Sequence, residues 1–96
     1  MTDMSTAVTD VPSESRYEVT VDGRYAGHLA YRLRADRVAF THAEIDPAFE
    51  GLGVGSDLAQ AALDDVRRRG LLAVPQCSFI SGWIERHPDY QDLVAP

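Results

Sequence analysis

The sequence predicts an α+β (α/β) domain that opens with three antiparallel strands, crosses over through one helix into a further strand, and ends on a short helix. Three observations carry this. Two alternating runs, RYEVTV (16–21) and YAGHLAYRL (25–33), flank Asp22-Gly23, a pair that suits a two-residue hairpin because its central positions need positive φ. A glycine-rich stretch, GLGVG at 51–55, leads directly into a segment whose apolar residues recur at helical spacing. Prolines at 47, 75 and 88 punctuate the chain, each removing a backbone donor where a ladder or helix would otherwise continue.

Taken in order, the opening segment MTDMSTAVTDVPSES (1–15) has no apolar run and no arginine ahead of its apolar positions. It is neither a secretory signal nor a membrane span, and it is expected to be a disordered tail ahead of one domain over 16–96. After the hairpin, VAFTHAEI (38–45) reads as the third strand. Strict alternation puts Val38, Phe40, His42 and Glu44 on one face and Ala39, Thr41, Ala43 and Ile45 on the other. Asp46-Pro47 ends it. From Gly55 or Ser56 the pattern is helical, with Leu58, Ala59, Ala62, Leu63 and Val66 as its apolar stripe. Ser56 or Asp57 is expected to cap it or lie in its first turn, and Gly70 stands where a left-handed C-terminal glycine belongs. LLAVPQC (71–77) is a short buried strand that Cys77 ends, with Pro75 marking an edge or bulge. SGWIERH (81–87) makes a short helix stopped by Pro88, and DYQDLV adds one turn. Phe79 and Trp83 read as core.

Ninety-six residues are enough for one core and one site. The net charge of −6 overstates the acidity of the folded part, because Asp3, Asp10 and Glu14 lie in the opening segment, leaving twelve acids against nine arginines over 16–96. That balance argues against a nucleic-acid partner and suits an amine. The single cysteine cannot form an internal disulfide and lacks a cluster of ligand partners, so no metal site is expected, and a reduced, cytoplasmic setting fits. A small sheet with an open edge is compatible with a monomer or a weak homodimer.

A strand, a glycine-rich turn and a helix N-terminus together aim unpaired N–H groups at one point, where the helix dipole adds positive potential. This is a phosphate cradle, and side chains at 51, 53 and 55 would block close approach of a diphosphate. The alternative is that the glycines only permit a tight turn. A P-loop is excluded because the chain has no lysine, and the glycine spacing and preceding antiparallel strands do not suit a dinucleotide fingerprint. Coenzyme A remains as a diphosphate ligand.

At these residues the sequence resembles the Gcn5-related N-acetyltransferases. EGLGVG (50–55) is similar to their acyl-CoA-binding motif, Gln/Arg-x-x-Gly-x-Gly/Ala, and the run from His42 to Val94 resembles the small single-domain branch. That branch carries His-x-Glu, the glycine loop, Pro-x-Cys-x-Phe and His-Pro-x-Tyr in this order. The resemblance implies a mixed, mainly antiparallel sheet in which the strands before the loop and after the helix splay apart. The pantetheine arm of acetyl-CoA then pairs with backbone around Ala43 to Asp46. It implies cofactor-binding roles for Ile45, Asp46, Gly51, Leu52, Gly53, Val54, Gly55, Ser56, Cys77 and Phe79, with Arg86 near the 3′-phosphate. The superfamily's Gln or Arg falls on Glu50, a carboxylate that a diphosphate would repel unless it turns outward. The implied reaction is acetyl transfer to an unknown amine, on a small molecule or a protein. Either Glu44 or His42 takes the amine's proton in a direct transfer, or Cys77 first accepts the acetyl group with His42 as its base. Tyr90 either protonates the leaving thiolate or only anchors the last turn. The other functional class is a non-catalytic acyl-CoA sensor or interaction module.

Overall fold

The Asp22-Gly23 pair forms the hairpin turn, with φ of 51° and 82°. Around it a computed structural model describes residues 4–96. It contains strands β1 (Thr6–Val11), β2 (Arg16–Val21), β3 (Arg24–Arg34), β4 (Arg37–Ile45) and β5 (Leu72–Pro75), and helices α1 (Val54–Arg68) and α2 (Ser78–Glu85). Short 3-10 turns follow β1, β4 and α2, each opening on a proline. One sheet orders the strands β1-β2-β3-β4-β5. The first four are antiparallel, and α1 crosses over to bring β5 parallel to β4. This is the mixed, mainly antiparallel α+β architecture expected, with one strand added at the front.

That added strand corrects the reading of the opening segment. Residues 6–11 are not a disordered tail but the sheet's edge strand, in register with β2 from Thr6↔Val21 to Val11↔Arg16. Val8 packs on the core, and the Asp10 carboxylate accepts a 2.6 Å bond from the Tyr31 hydroxyl. The segment's polarity misleads because only one side of an edge strand needs to be apolar. Residues 1–3 of the expected tail lie outside the described residues.

Both helices lie against one face of the sheet. Tyr17, Val19, Leu29, Tyr31, Val38 and Phe40 meet Leu58, Ala62, Leu63 and Val66 of α1 and Ile80 and Trp83 of α2 in a single core. Burying each large side chain is worth roughly 1.5–3 kcal/mol, which is what holds α1 in place over the sheet. The helix starts at Val54, earlier than its apolar stripe suggested; its N-cap is Gly53, and Ser56 and Asp57 lie in its first turn, the second of the two places expected for them. It ends in a Schellman arrangement, with the Gly70 N–H on the Arg67 carbonyl and the Leu71 N–H on that of Val66.

Two further expectations change. Register between β3 and β4 shifts by one between Ala30↔His42 and Tyr31↔Phe40, leaving Thr41 as a bulged residue. Strict alternation therefore fails: Val38 and Phe40 face the core, but beyond the bulge Ala43 and Ile45 take that side, and His42 and Glu44 are exposed. Cys77 does not end the strand. β5 stops at Pro75, the Gln76 and Cys77 N–H groups both donate to the Phe40 carbonyl, and Cys77 is the N-cap of α2. That helix begins at Ser78 because Ile80, Trp83 and Ile84 form its buried stripe.

Candidate active site

Phe40↔Pro75 is the last pair between β4 and β5, yet β4 runs on to Ile45. No described strand pairs with the second half of β4 on that side, which leaves a gap in the ladder there. In an antiparallel ladder alternate residues turn their N–H and C=O to opposite neighbours. Asp46 donates to the Ala26 carbonyl across β3, in step with the His28↔Glu44 and Ala30↔His42 pairs. The backbone groups of Ala43 and Ile45 consequently point toward the gap. Asp46 does not share this role: its N–H is held by Ala26, its carbonyl accepts from Phe49, and its carboxylate accepts from the Ala48 N–H.

The glycine loop closes one end of the gap, and its glycines serve different ends. Gly51 and Gly53 have φ of 79° and 81°, values that L residues adopt only at a cost, and nothing crowds the place a Cβ would take. Gly55 has ordinary φ, but a Cβ there would lie 3.2 Å from the Phe79 ring and 3.7 Å from Ile45. A side chain at 55 would therefore press on the Phe79 ring within the fold. Val54 is buried, while Leu52 at the tip of the loop is 52% exposed. The first helical bond runs from the Asp57 N–H to the Gly53 carbonyl, so the N–H groups of Val54, Gly55 and Ser56 have no acceptor within the helix. No side chain caps them.

The C-terminal segment secures this helix end. Trp83 Nε1 donates to Ser56 Oγ at 2.9 Å, His87 stacks on the indole at 3.7 Å, and the Tyr90 ring meets its edge. The Tyr90 hydroxyl donates to Asp64 at 2.8 Å, and this bond to a carboxylate raises its pKa. Tyr90 is thus the anchor of the last turn. Cys77 and Phe79 pack against the core from the helix side. Arg86 stands at the far end of α2, with its guanidinium folded against Gly82.

On the opposite, uncovered face His42 and Glu44 come together with a third residue. His28 is paired with Glu44 across β3 and β4, and ligating atoms of His28, His42 and Glu44 all lie within 4.8 Å of one another. Tyr25 Oη is 2.7 Å from His28 Nδ1. Partial burial, then the nearby Arg16, lower the His28 pKa. His28 is absent from the sequence expectations because the tight turn at 34–37 alone would set it opposite Ala43; the bulge at Thr41 moves it to Glu44. The structure therefore divides the expected catalytic trio: His42 and Glu44 share the open face, and Cys77 sits on the helix side.

Two depressions flank these groups. One, of about 500 Å³, is lined by Tyr25, Gly27, Ile45 and Pro47 and by three carboxylates, Glu44, Asp46 and Glu50. The motif-position carboxylate Glu50 thus lines an acidic hollow. The other, of about 400 Å³, runs along the open face past Arg32, Arg34 and Arg37 to Thr41 and Gln76. No described helix is long and apolar enough to cross a membrane.

The fold can be set beside known proteins. A GCN5-like protein from Staphylococcus aureus, solved by NMR, is 21% identical with a TM-score of 0.71, covering 93% of this chain and 87% of that one. The ribosomal-protein-S18-alanine N-acetyltransferase of Escherichia coli is 18% identical with a TM-score of 0.62, over 74% of this chain and 49% of that one. Ard1 from Thermoplasma volcanium is 22% identical with a TM-score of 0.60, over 81% of this chain and 57% of that one. The chain thus spans about half the length of the latter two. No curated protein matches its sequence. A family model described as GCN5-related N-acetyl-transferase matches residues 16–93, nearly the whole described sheet and both helices. The chain belongs to the GCN5-related N-acetyltransferase family and is an N-acetyltransferase.

Proposed function

We propose that the chain takes acetyl-CoA as donor and passes the acetyl group directly to a cationic amine, with Glu44 as the base. The observation that carries this is the gap beside Ala43 and Ile45, closed at one end by the unpaired N–H groups of Val54, Gly55 and Ser56. Those three groups suit a diphosphate, and the Ala43 and Ile45 backbone suits the amides of a pantetheine arm. The exposed Leu52 and the Phe79 ring offer apolar surface on either side. Bound acetyl-CoA supplies the thioester.

An amine at neutral pH is an ammonium and must lose a proton before it attacks. Glu44 accepts that proton, with His42 beside it. Transfer then forms the bond from nitrogen to the acyl carbon and breaks the carbon–sulfur bond, and the thiolate leaves to be protonated by solvent. The three carboxylates around the 500 Å³ depression favour an acceptor that carries positive charge. The direct route is preferred to the Cys77 route because Cys77 packs toward the core while His42, the base it would need, is exposed on the other face.

Thermal unfolding with acetyl-CoA, CoA and ATP tests the donor. A ligand at a hundred times its Kd adds about 2.7 kcal/mol, which raises the midpoint by roughly 10 °C or more in a domain this small. Stabilisation by both CoA forms and not by ATP is expected; no shift with either CoA form overturns the reading. Turnover of an amine panel with intact-mass analysis decides the route. Cys77→Ala retaining transfer supports the direct path, and an acetyl adduct lost in that variant together with transfer refutes it.

A further inference from the structure

The groups gathered on the open face have a second chemistry. Two imidazoles and one carboxylate form a mixed nitrogen and oxygen donor set that suits zinc, cobalt, nickel or copper ions; magnesium and calcium prefer oxygen alone. Their ligating atoms lie within 4.8 Å of one another. Bonds of about 2.0–2.2 Å to one ion need the donors somewhat closer than this, a shift that rotation of exposed side chains covers.

The backbone sets up the cluster. Glu44 is directly opposite His28, and His42 is opposite Ala30, two residues along on the same face. The His28 and His42 ring centres are 6.0 Å apart, leaving room for a shared ion. Tyr25 Oη is already bonded to His28 Nδ1, which leaves Nε2 as the free donor and supplies the outer partner that metal-bound histidines ordinarily have. Glu18, opposite His28 on the other side, is held 2.6 Å from Arg16 and so stays out of the set. Three protein ligands with a fourth position open to water result.

We propose that His28, His42 and Glu44 bind one divalent ion of the zinc class on the uncovered face of β3 and β4, and that the bound ion stops acetyl transfer by occupying the lone pairs of Glu44 and His42. The second half rests on the function proposed above; the binding itself does not.

Titration of the full chain with Co²⁺, followed by its visible ligand-field absorption and by Zn²⁺ competition, tests the site without any acetyl-CoA. One ion per chain is expected. His28→Gln, checked for folding by circular dichroism, weakens binding at least about ten-fold; Tyr25→Phe, which removes only the outer partner, weakens it by about ten-fold. His87→Asn, which alters the histidine outside the cluster, leaves binding intact. Absence of a saturable band, or a band undiminished in His28→Gln, overturns the site. Zn²⁺ should inhibit amine acetylation by the parent protein and inhibit His28→Gln at least ten-fold less; equal inhibition of both refutes the inhibitory role. A protein that binds Co²⁺ in this way but acetylates no amine keeps the metal site and refutes the function.

Discussion

The two faces of β4 use the same backbone for opposite ends. On the helix side Val38 and Phe40 are 1% and 0% exposed, sealed under α1 and α2, and Ala43 and Ile45 continue that side into the gap. On the other side His42 and Glu44 face water, in line with His28, Arg32 and Arg37. A side chain on the covered face is worth its buried area, whereas one on the bare face contributes little to stability and is free to meet a reactant. Stability on one side and the chemistry proposed for the other are thus separated across one strand, with the gap in the ladder beside Ala43 and Ile45.

This separation can be broken by experiment. Phe40→Ala should cost about 3–5 kcal/mol, because it empties a fully buried site against α1; urea unfolding that finds less than about 1 kcal/mol would show that the covered face is not the stabilising one. Glu44→Gln should lower turnover about a hundred-fold or more while moving stability by less than about 0.5 kcal/mol. A large stability loss in that variant would erase the distinction. Gly53→Ala forces a Cβ into φ of 81° and should cost about 1–2 kcal/mol, with weaker CoA binding as the loop shifts. Gly55→Ala keeps its φ but presses on Phe79, so its cost should fall when paired with Phe79→Leu.

The covered face also carries a pH signature. Burial first, then the Asp10 carboxylate, raises the Tyr17 phenol to about 12; burial and the hydrogen bond to Asp10 raise Tyr31 to about 12. Both favour the neutral form in the folded state. Their contribution is complete below about pH 10 and is lost as pH rises from 10 toward 12. Tyr31→Phe should make this alkaline loss shallower in a pH series of unfolding midpoints, and an unchanged slope would assign the loss elsewhere. The smallest effect belongs to the open face, where Arg34→Ala should stay within about 0.5 kcal/mol.

The residues themselves explain what could be anticipated. Asp22-Gly23, the Leu58 to Val66 stripe and Gly70 act through local sterics and periodicity, so their elements are visible along the chain. The motif run from His42 to Val94 points to the family by order and spacing. Edge strand β1 was hidden because its one-sided burial depends on partners elsewhere, Tyr31 and Arg69 among them. The cluster at His28 was hidden too, since pairing across strands is invisible in a single segment.

The sequence alone therefore determined the element order, the positive-φ turns and the identity of the groups able to do chemistry, because each follows from interactions within a few residues. Tertiary structure decided which of those groups meet. One bulged residue, Thr41, turns His42 and Glu44 from the core to the open face and sets Glu44 opposite His28. A shift of one residue in a period of two reverses every side chain beyond it. That shift is chosen by packing of Ala43 and Ile45 against the core, an energy that exists only once the sheet and helix are assembled.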